Sequence, residues 1–547
     1  MLKPMRGTGR YHPGCRRHAY RTAAVPGNPD SGMSRRKHQI DAAFQQVQRL
    51  HSAGRLAEAE AGYRQILAAA PAHPDTLHML GVLALQTGHP GPALGYVERA
   101  IALAPSVAIY HVNRASALLA LQRATEAEAA CRQALRLKRN SAEAYQTLGH
   151  ALSDLGRPLE AADAYREALR LNPSLPDLHN SLGLVLHEAS RLAEAVEMLR
   201  TALRKTPGDP AVASNLAGAL KDLGRLDEAE ALYRDLLQRN PNDALAHYNL
   251  GLLLLVAGRF EEAWPEWEWR FRADPALAQR FDRPLWAGGP LEGRTLLVHA
   301  EQGMGDMLQF ARYVPRLPKD GRVVLEVHRP LVPLLRQLQG VAEVVGIGDP
   351  LPSHDLRVPM MSLPFALGLT RASDIPSSVP YLAADPVRVA RWRERVAVLP
   401  GRRVGLAWAG NPERMRMDRR RSVNWEMLAP LAAVPGVSLV SLQKGPAASQ
   451  SPSGVIANWT EELADFSDTA ALIEALDLVI SVDTAVLHMT GALGKPVWLL
   501  NRFDTCWRWE TGCEDSRWYP TLRQFRQPEP GSWEPVIARV RSELARG

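Results

Sequence analysis

What this chain has little of narrows the reading first. No apolar run reaches the roughly 18 residues that cross a bilayer, so no membrane-spanning helix is expected. Four cysteines (Cys15, Cys131, Cys506 and Cys513) are scattered through 547 residues without zinc-site spacing, which points to reduced thiols and a cytoplasmic protein. A basic excess is missing too, once one tail is set aside. Residues 1–38 hold nine Lys or Arg against Asp30, and the rest of the chain is left with a net charge of −1. The tail, residues 1–39, reads as a disordered basic segment, and no nucleic acid partner follows from it. It also lacks the apolar stretch of a secretory signal; a transit peptide stays open, as does a true start at Met33.

What is present is ordinary in composition and long enough for at least two cores, with 46% hydrophobic and 22% charged residues. A small residue recurs every 34 positions at Gly81, Ala115, Gly149, Gly183, Ala217 and Gly251. The same step links Ala59 through Ala263, Pro71 through Pro275 with Arg139 in one slot, and the turn glycines Gly54, Gly88, Gly156, Gly224 and Gly258. Seven units fill residues 40–277. Each reads as a helix pair: small residues let helices approach, Gly-Arg marks the turn, and Pro stops the second helix.

Beyond Pro275 the composition changes, since all thirteen tryptophans lie at or after Trp264. Trp264, Trp267 and Trp269 are expected to form an apolar surface capping the array. Short β-branched runs then alternate with helical stretches, the pattern of doubly wound parallel sheets. One α/β half is expected over residues 278–383, with strands near 295–300, 322–327 and 341–348. A second is expected over 384–547, with strands near 403–410, 438–443, 477–483 and 496–500 and a terminal helix.

Ligands of such sheets sit beyond the carboxyl ends of strands, so the loops there hold the candidate site. The first strand runs into EQGMGD, where Gly303 and Gly305 allow a tight turn and Asp306 opens a helix. Leu308 stands where a dinucleotide fingerprint needs its third glycine, and no Walker loop occurs. After the strand near 403–410 come Arg414, Arg416, Arg419, Arg420 and Arg421, and Lys444 follows the next strand. Guanidinium forks of that kind suit a diphosphate, although a solvated charge run has the same composition. In SVDTAVLHMTG, Asp483 ends a strand, Thr484 starts a helix and His488 lies one turn on, a set able to hold a ribose or phosphate. Read singly, Asp306 and Asp483 are equally helix caps, and His488 a packed histidine.

The repeat positions resemble the tetratricopeptide repeat, in the fourth unit as Gly149, Ala161, Tyr165, Ala168 and Pro173. The later motifs, taken in order, resemble the twin-Rossmann (GT-B) glycosyltransferases: the family-nine heptosyltransferases and the O-linked N-acetylglucosamine transferases, which join such repeats to such a domain. The fold class implied is therefore α plus α/β, an α-solenoid followed by two Rossmann-like halves. The resemblance implies that Asp306 is a general base, that Arg419, Arg420, Arg421 and Lys444 meet phosphates, and that Gly303, Gly305, Asp483, Thr484 and His488 bind a nucleotide sugar. It implies too that the sixth position of each unit faces an acceptor peptide, with Asn113, Asn215 and Asn249 the strongest candidates. Two departures stand out: Arg replaces the family's phosphate-binding Lys, and Pro315 lies further from Asp306 than in the heptosyltransferases.

The expected function is an inverting transfer of sugar to a protein acceptor, with no cofactor and no metal, since no D-x-D pair occurs. A non-catalytic repeat scaffold, or an enzyme acting on a glycan, are the alternatives. A homodimer is left open, because repeat edges can associate without a sequence mark.

Overall fold

The computed structural model describes residues 32–175, 177–278, 282–410, 420–452 and 454–546. Most of the basic tail, and with it the expectation of disorder there, lies outside the described residues, as do Arg414, Arg416 and Arg419. The chain divides into two compact units, one ending at Ala219 and the other beginning at Leu220.

Seven helix pairs follow one another, and their second helices begin at Leu56, Pro90, Ala124, Pro158, Leu192, Leu226 and Phe260, a step of 34 each time. The inner turn of every pair needs one residue with positive φ. Glycine supplies it at Gly54, Gly88, Gly156, Gly224 and Gly258, while Gln122 and Ser190 adopt the same left-handed backbone at φ 61°. The small positions are equally strict: a Cβ at Gly149 would lie 2.4 Å from the Tyr165 ring. At the turns Arg157 and Arg259 bind the glutamate three residues on, and each also reaches the preceding repeat, at Glu128 and Glu230. The pairs within a repeat are exposed and worth little singly, whereas Glu128 and Glu230, which link one repeat to the next, are half-buried.

In the second unit the last repeats are followed by two sheets in which every strand pairing is parallel. The first has β1 (Thr295–His299), β2 (Arg322–Val327), β3 (Glu343–Gly346) and β4 (Leu356–Pro359) in the order β3-β2-β1-β4. The second has β5 (Arg402–Ala407), β6 (Val437–Ser441), β7 (Ala457–Asn458), β8 (Leu478–Ser481), β9 (Val497–Asn501) and β10 (Leu522–Arg526) in the order β10-β9-β8-β5-β6-β7. β8 is buried along its whole length and the other central strands along most of theirs, because crossover helices cover both faces. The sequence pattern found those central strands and missed β4, β7 and β10. All three are edge strands, where one side needs no partner and polar residues or proline are tolerated, as at Pro359, Arg523 and Arg526.

Trp264 and Trp267 are buried against Trp507, at ring separations of 6.1 and 6.2 Å. Trp269 departs from the expected capping surface: it stacks on His247 of its own repeat at 3.9 Å. Among the described residues no helix is long and apolar enough to cross a membrane.

Candidate functional site

The turn after β1 and the turn after β8 meet. Helix Met304–Phe310 begins at Gly303, whose N–H donates to Asp306 Oδ2 at 2.7 Å, so Asp306 does close its own helix start. Helix Ala485–Ala492 begins after Thr484 and lies against the first: a Cβ on Gly305 would stand 2.8 Å from His488 Cδ2 and 3.6 Å from Ala485 Cα. Gly305 is thus required for close approach, and Gly303 faces its own cap carboxylate.

His488 is buried and held on both ring nitrogens, with Nδ1 3.0 Å from the Tyr519 hydroxyl and Nε2 3.4 Å from Asp483 Oδ1. Its ring also stacks on Trp509 at 5.5 Å. Burial lowers the imidazole pKa, and the Asp483 carboxylate opposes this without overcoming it. A neutral ring with its proton on Nε2 satisfies both contacts, donating to Asp483 and accepting from Tyr519. Burial alone would raise the Asp483 pKa; the His488 hydrogen bond, with the charges of Arg421 and Arg508, outweighs it and leaves the carboxyl well below the usual range. Thr484 places its hydroxyl 3.1 Å from Ser481 Oγ.

Arg508 joins the site although no sequence motif marks it. It forms an ion pair with Asp306 Oδ1, donates to Gln309 and to Cys506 Sγ, and lies 4.4 Å over the Trp507 ring. Burial works against its charge, but Asp306, Cys506 and Asp483 more than compensate, so its pKa is raised. The local signal was a cation between two aromatics with Gln309 one turn beyond Asp306; the pairing itself spans 202 residues and leaves no pattern.

The other cations are distributed unevenly. Arg421 is close enough for its charge to act on Asp483. Arg420 is paired with Asp504 and stands 3.6 Å from Asp222 of the sixth repeat, and Arg502 lies 3.6 Å from the same Asp504. Lys444 gives its Nζ to the Leu463 carbonyl at 2.5 Å. Gln443, buried beside it, binds the N–H groups of Trp408 and Ala409 at 2.8 Å each and so ties the exit of β6 to that of β5. The structure therefore brings together Gly303, Gly305, Asp306, Arg421, Asp483, Thr484 and His488, and gives Arg420 and Lys444 partners of their own.

The turn after β1 is also held from the last repeat. Arg270, 1% exposed, forks onto Glu301 at 2.6 and 2.8 Å, and Glu301 is the first residue of the EQGMGD segment.

In the array, the Asn113 side chain bonds His78 of the preceding repeat, and Asn215 bonds Asn180 at 3.0 Å. Asn249 is half-buried and also engaged. Two of the expected peptide-facing amides thus have a partner one repeat back. Among the described residues no group of three His, Cys, Asp or Glu is placed to hold a metal ion.

The tetratricopeptide repeat family matches residues 78–142, 147–210, 186–247 and 220–263, so this stretch is a tetratricopeptide array, a module of protein–protein interaction. Protein FlbA of Caulobacter vibrioides is 32% identical over 332 residues, which is 51% of this chain and 52% of FlbA. The chain thus spans about half the length of that curated relative. Among solved structures, MamA is 25% identical over 29% of this chain and 94% of its own, with a TM-score of 0.27. YrrB, described as a tetratricopeptide protein with an unusual peptide-binding site, is 26% identical over 33% and 92%, with a TM-score of 0.30. PilF of Pseudomonas aeruginosa is 19% identical over 38% and 94%, with a TM-score of 0.35.

Proposed function

We propose that the two α/β sheets form a twin-Rossmann, GT-B glycosyltransferase that takes a nucleotide diphosphate sugar and glycosylates a protein bound by the repeats. One observation carries the reading: the glycine turn with Asp306 after β1 faces the Asp483-Thr484-His488 element after β8, each at the carboxyl end of a parallel strand. Donor diphosphate would meet Arg421 and Arg419, and Arg420 would join them on releasing Asp504. Ribose would meet Asp483 and Thr484.

In the transfer, the acceptor hydroxyl oxygen attacks the anomeric carbon, the bond from that carbon to the diphosphate oxygen breaks, and the diphosphate leaves with the electron pair. The hydroxyl proton goes to the Asp306 carboxylate, and the anomeric configuration inverts. Guanidinium groups stabilise the leaving charge, so the proposal has no metal or cofactor step. Asp306 Oδ1 must exchange Arg508 for the incoming hydroxyl, which makes Arg508 part of the same step.

The test is thermal unfolding of the full chain against UDP, ADP, GDP, CDP and TDP, with and without added divalent metal. A ligand at 100 times its Kd adds about 2.7 kcal/mol, enough to move a melting curve. Selective, metal-independent stabilisation by one nucleotide supports the donor site. No response to any of them favours the second reading, a repeat scaffold without chemistry, for which the occupied state of Arg420 and Lys444 speaks. Protein and glycan acceptors are separated by mass spectrometry of cellular proteins with and without the gene.

A further inference from the structure

Arg270 opens the short helix Arg270–Ala273 at the end of the last repeat, and its guanidinium is fully enclosed. Five N–H donors are available to such a group, and five bonds are made. Nε and Nη2 hold the two oxygens of Glu301, Nη2 also reaches Ser362 Oγ at 2.6 Å, and Nη1 reaches Glu268 Oε1 at 2.8 Å and the Trp267 carbonyl at 3.2 Å. Ser362 donates back to Glu268 at 3.0 Å, which closes the ring of bonds, and the Phe271 face lies 4.0 Å away.

Glu301 directly follows Ala300, whose N–H bonds β2 at the Glu326 carbonyl. The next residue, Gln302, gives its carbonyl to His328 at 2.7 Å. Gly303 and Gly305 have no side chains with which to fix the turn themselves. Buried ion pairs are poor contributors to net stability, since hydrophobic replacements often do as well; a bidentate fork instead fixes the plane and position of the carboxylate it holds.

We propose that Arg270 is a positioning residue: through Glu301 it sets the Gly303–Asp306 turn, so the last repeat is a working part of the candidate site and not only a recruiting handle. The link to donor binding rests on the glycosyltransferase reading; the hold on the turn does not.

The test compares full-length wild type with Arg270→Lys and with the double variant Arg270→Met, Glu301→Gln, which removes the Arg270–Glu301 pair and leaves Glu268 with its bond from Ser362. Global melting, hydrogen exchange at the amides of residues 303–306 and the melting response to the nucleotide panel are measured. Both variants are expected to melt with wild type while these amides exchange about tenfold faster or more, a local opening without global loss. Lysine keeps the charge and loses the fork, so no rescue is expected from it; should the double variant not fold, Arg270→Lys carries the test alone. Wild-type exchange at 303–306 in the folded variants overturns the proposal. If wild type responds to a nucleotide, its apparent affinity should fall about tenfold in both variants, and unchanged affinity would overturn the positioning role. If wild type responds to none, the donor-site reading fails while the exchange result still decides the hold on the turn.

Discussion

Gly305 stands against the edge of His488, and a single added carbon there would lie 2.8 Å from Cδ2. The imidazole has nowhere to retreat, because Tyr519, Asp483 and Trp509 hold it on three sides. Gly305→Ala should therefore cost about 1–3 kcal/mol through overpacking between the two helices. Urea unfolding measures it; an alanine variant as stable as wild type would mean that the helices separate easily.

Asp306 is a structural partner as well as the candidate base. Asp306→Asn leaves the enclosed Arg508 without its counter-ion, and about 3 kcal/mol or more of stability should go with it. Adding Arg508→Met should restore much of that loss. A single Asn variant that unfolds like wild type would show that Arg508 finds another partner. Turnover of Asp306 variants is interpretable only in folded samples, which makes this stability measurement a necessary control.

Acid should weaken the fold from two buried histidines. Burial pushes His78 down to about 4 against the smaller pull of Asp75, and it lowers His488 as well. An unfolded histidine takes a proton near pH 6.5, so the unfolded state binds more protons and stability falls as pH drops below that value. For His78 the contribution is complete above about pH 6.5 and lost by about pH 4, on the order of 3 kcal/mol. His78→Gln should flatten the decline in melting temperature over that window. An unaltered slope would place the acid sensitivity elsewhere.

Two turns carry a side chain where the others carry glycine. Gln122→Gly and Ser190→Gly should each relieve left-handed strain and stabilise by about 0.5–1 kcal/mol after the entropy cost of glycine. Chemical denaturation resolves such a change in the array; destabilisation would mean that the side chains make contacts worth more than the strain.

The periodic part of this molecule was legible because its physics is local: a turn needing positive φ and a contact admitting only a small side chain recur at a fixed step. The central strands were legible for the same reason, as buried parallel runs. Edge strands such as β10 were not, since Arg523 and Arg526 break the apolar run there. The site was half legible. Gly303, Asp306, Asp483 and His488 announce themselves at strand ends, but the partners that decide their state do not. Arg508 for Asp306, Arg270 for Glu301, and Asp504 and Asp222 for Arg420 are joined only by folding, across distances in sequence that no spacing rule reaches.

The step of 34 residues makes the array a ruler with graduations of one kind for most of its length. Whole periods can be gained or lost among the first five repeats without removing any of the residues gathered at the strand ends after β1 and β8. The sixth and seventh repeats lack that freedom, because Asp222 is matched to Arg420, and Arg270 to Glu301 and Ser362, all outside the repeats. Related chains should therefore vary in repeat number by insertion and loss upstream, while the last two graduations stay fixed in sequence and in distance from β1.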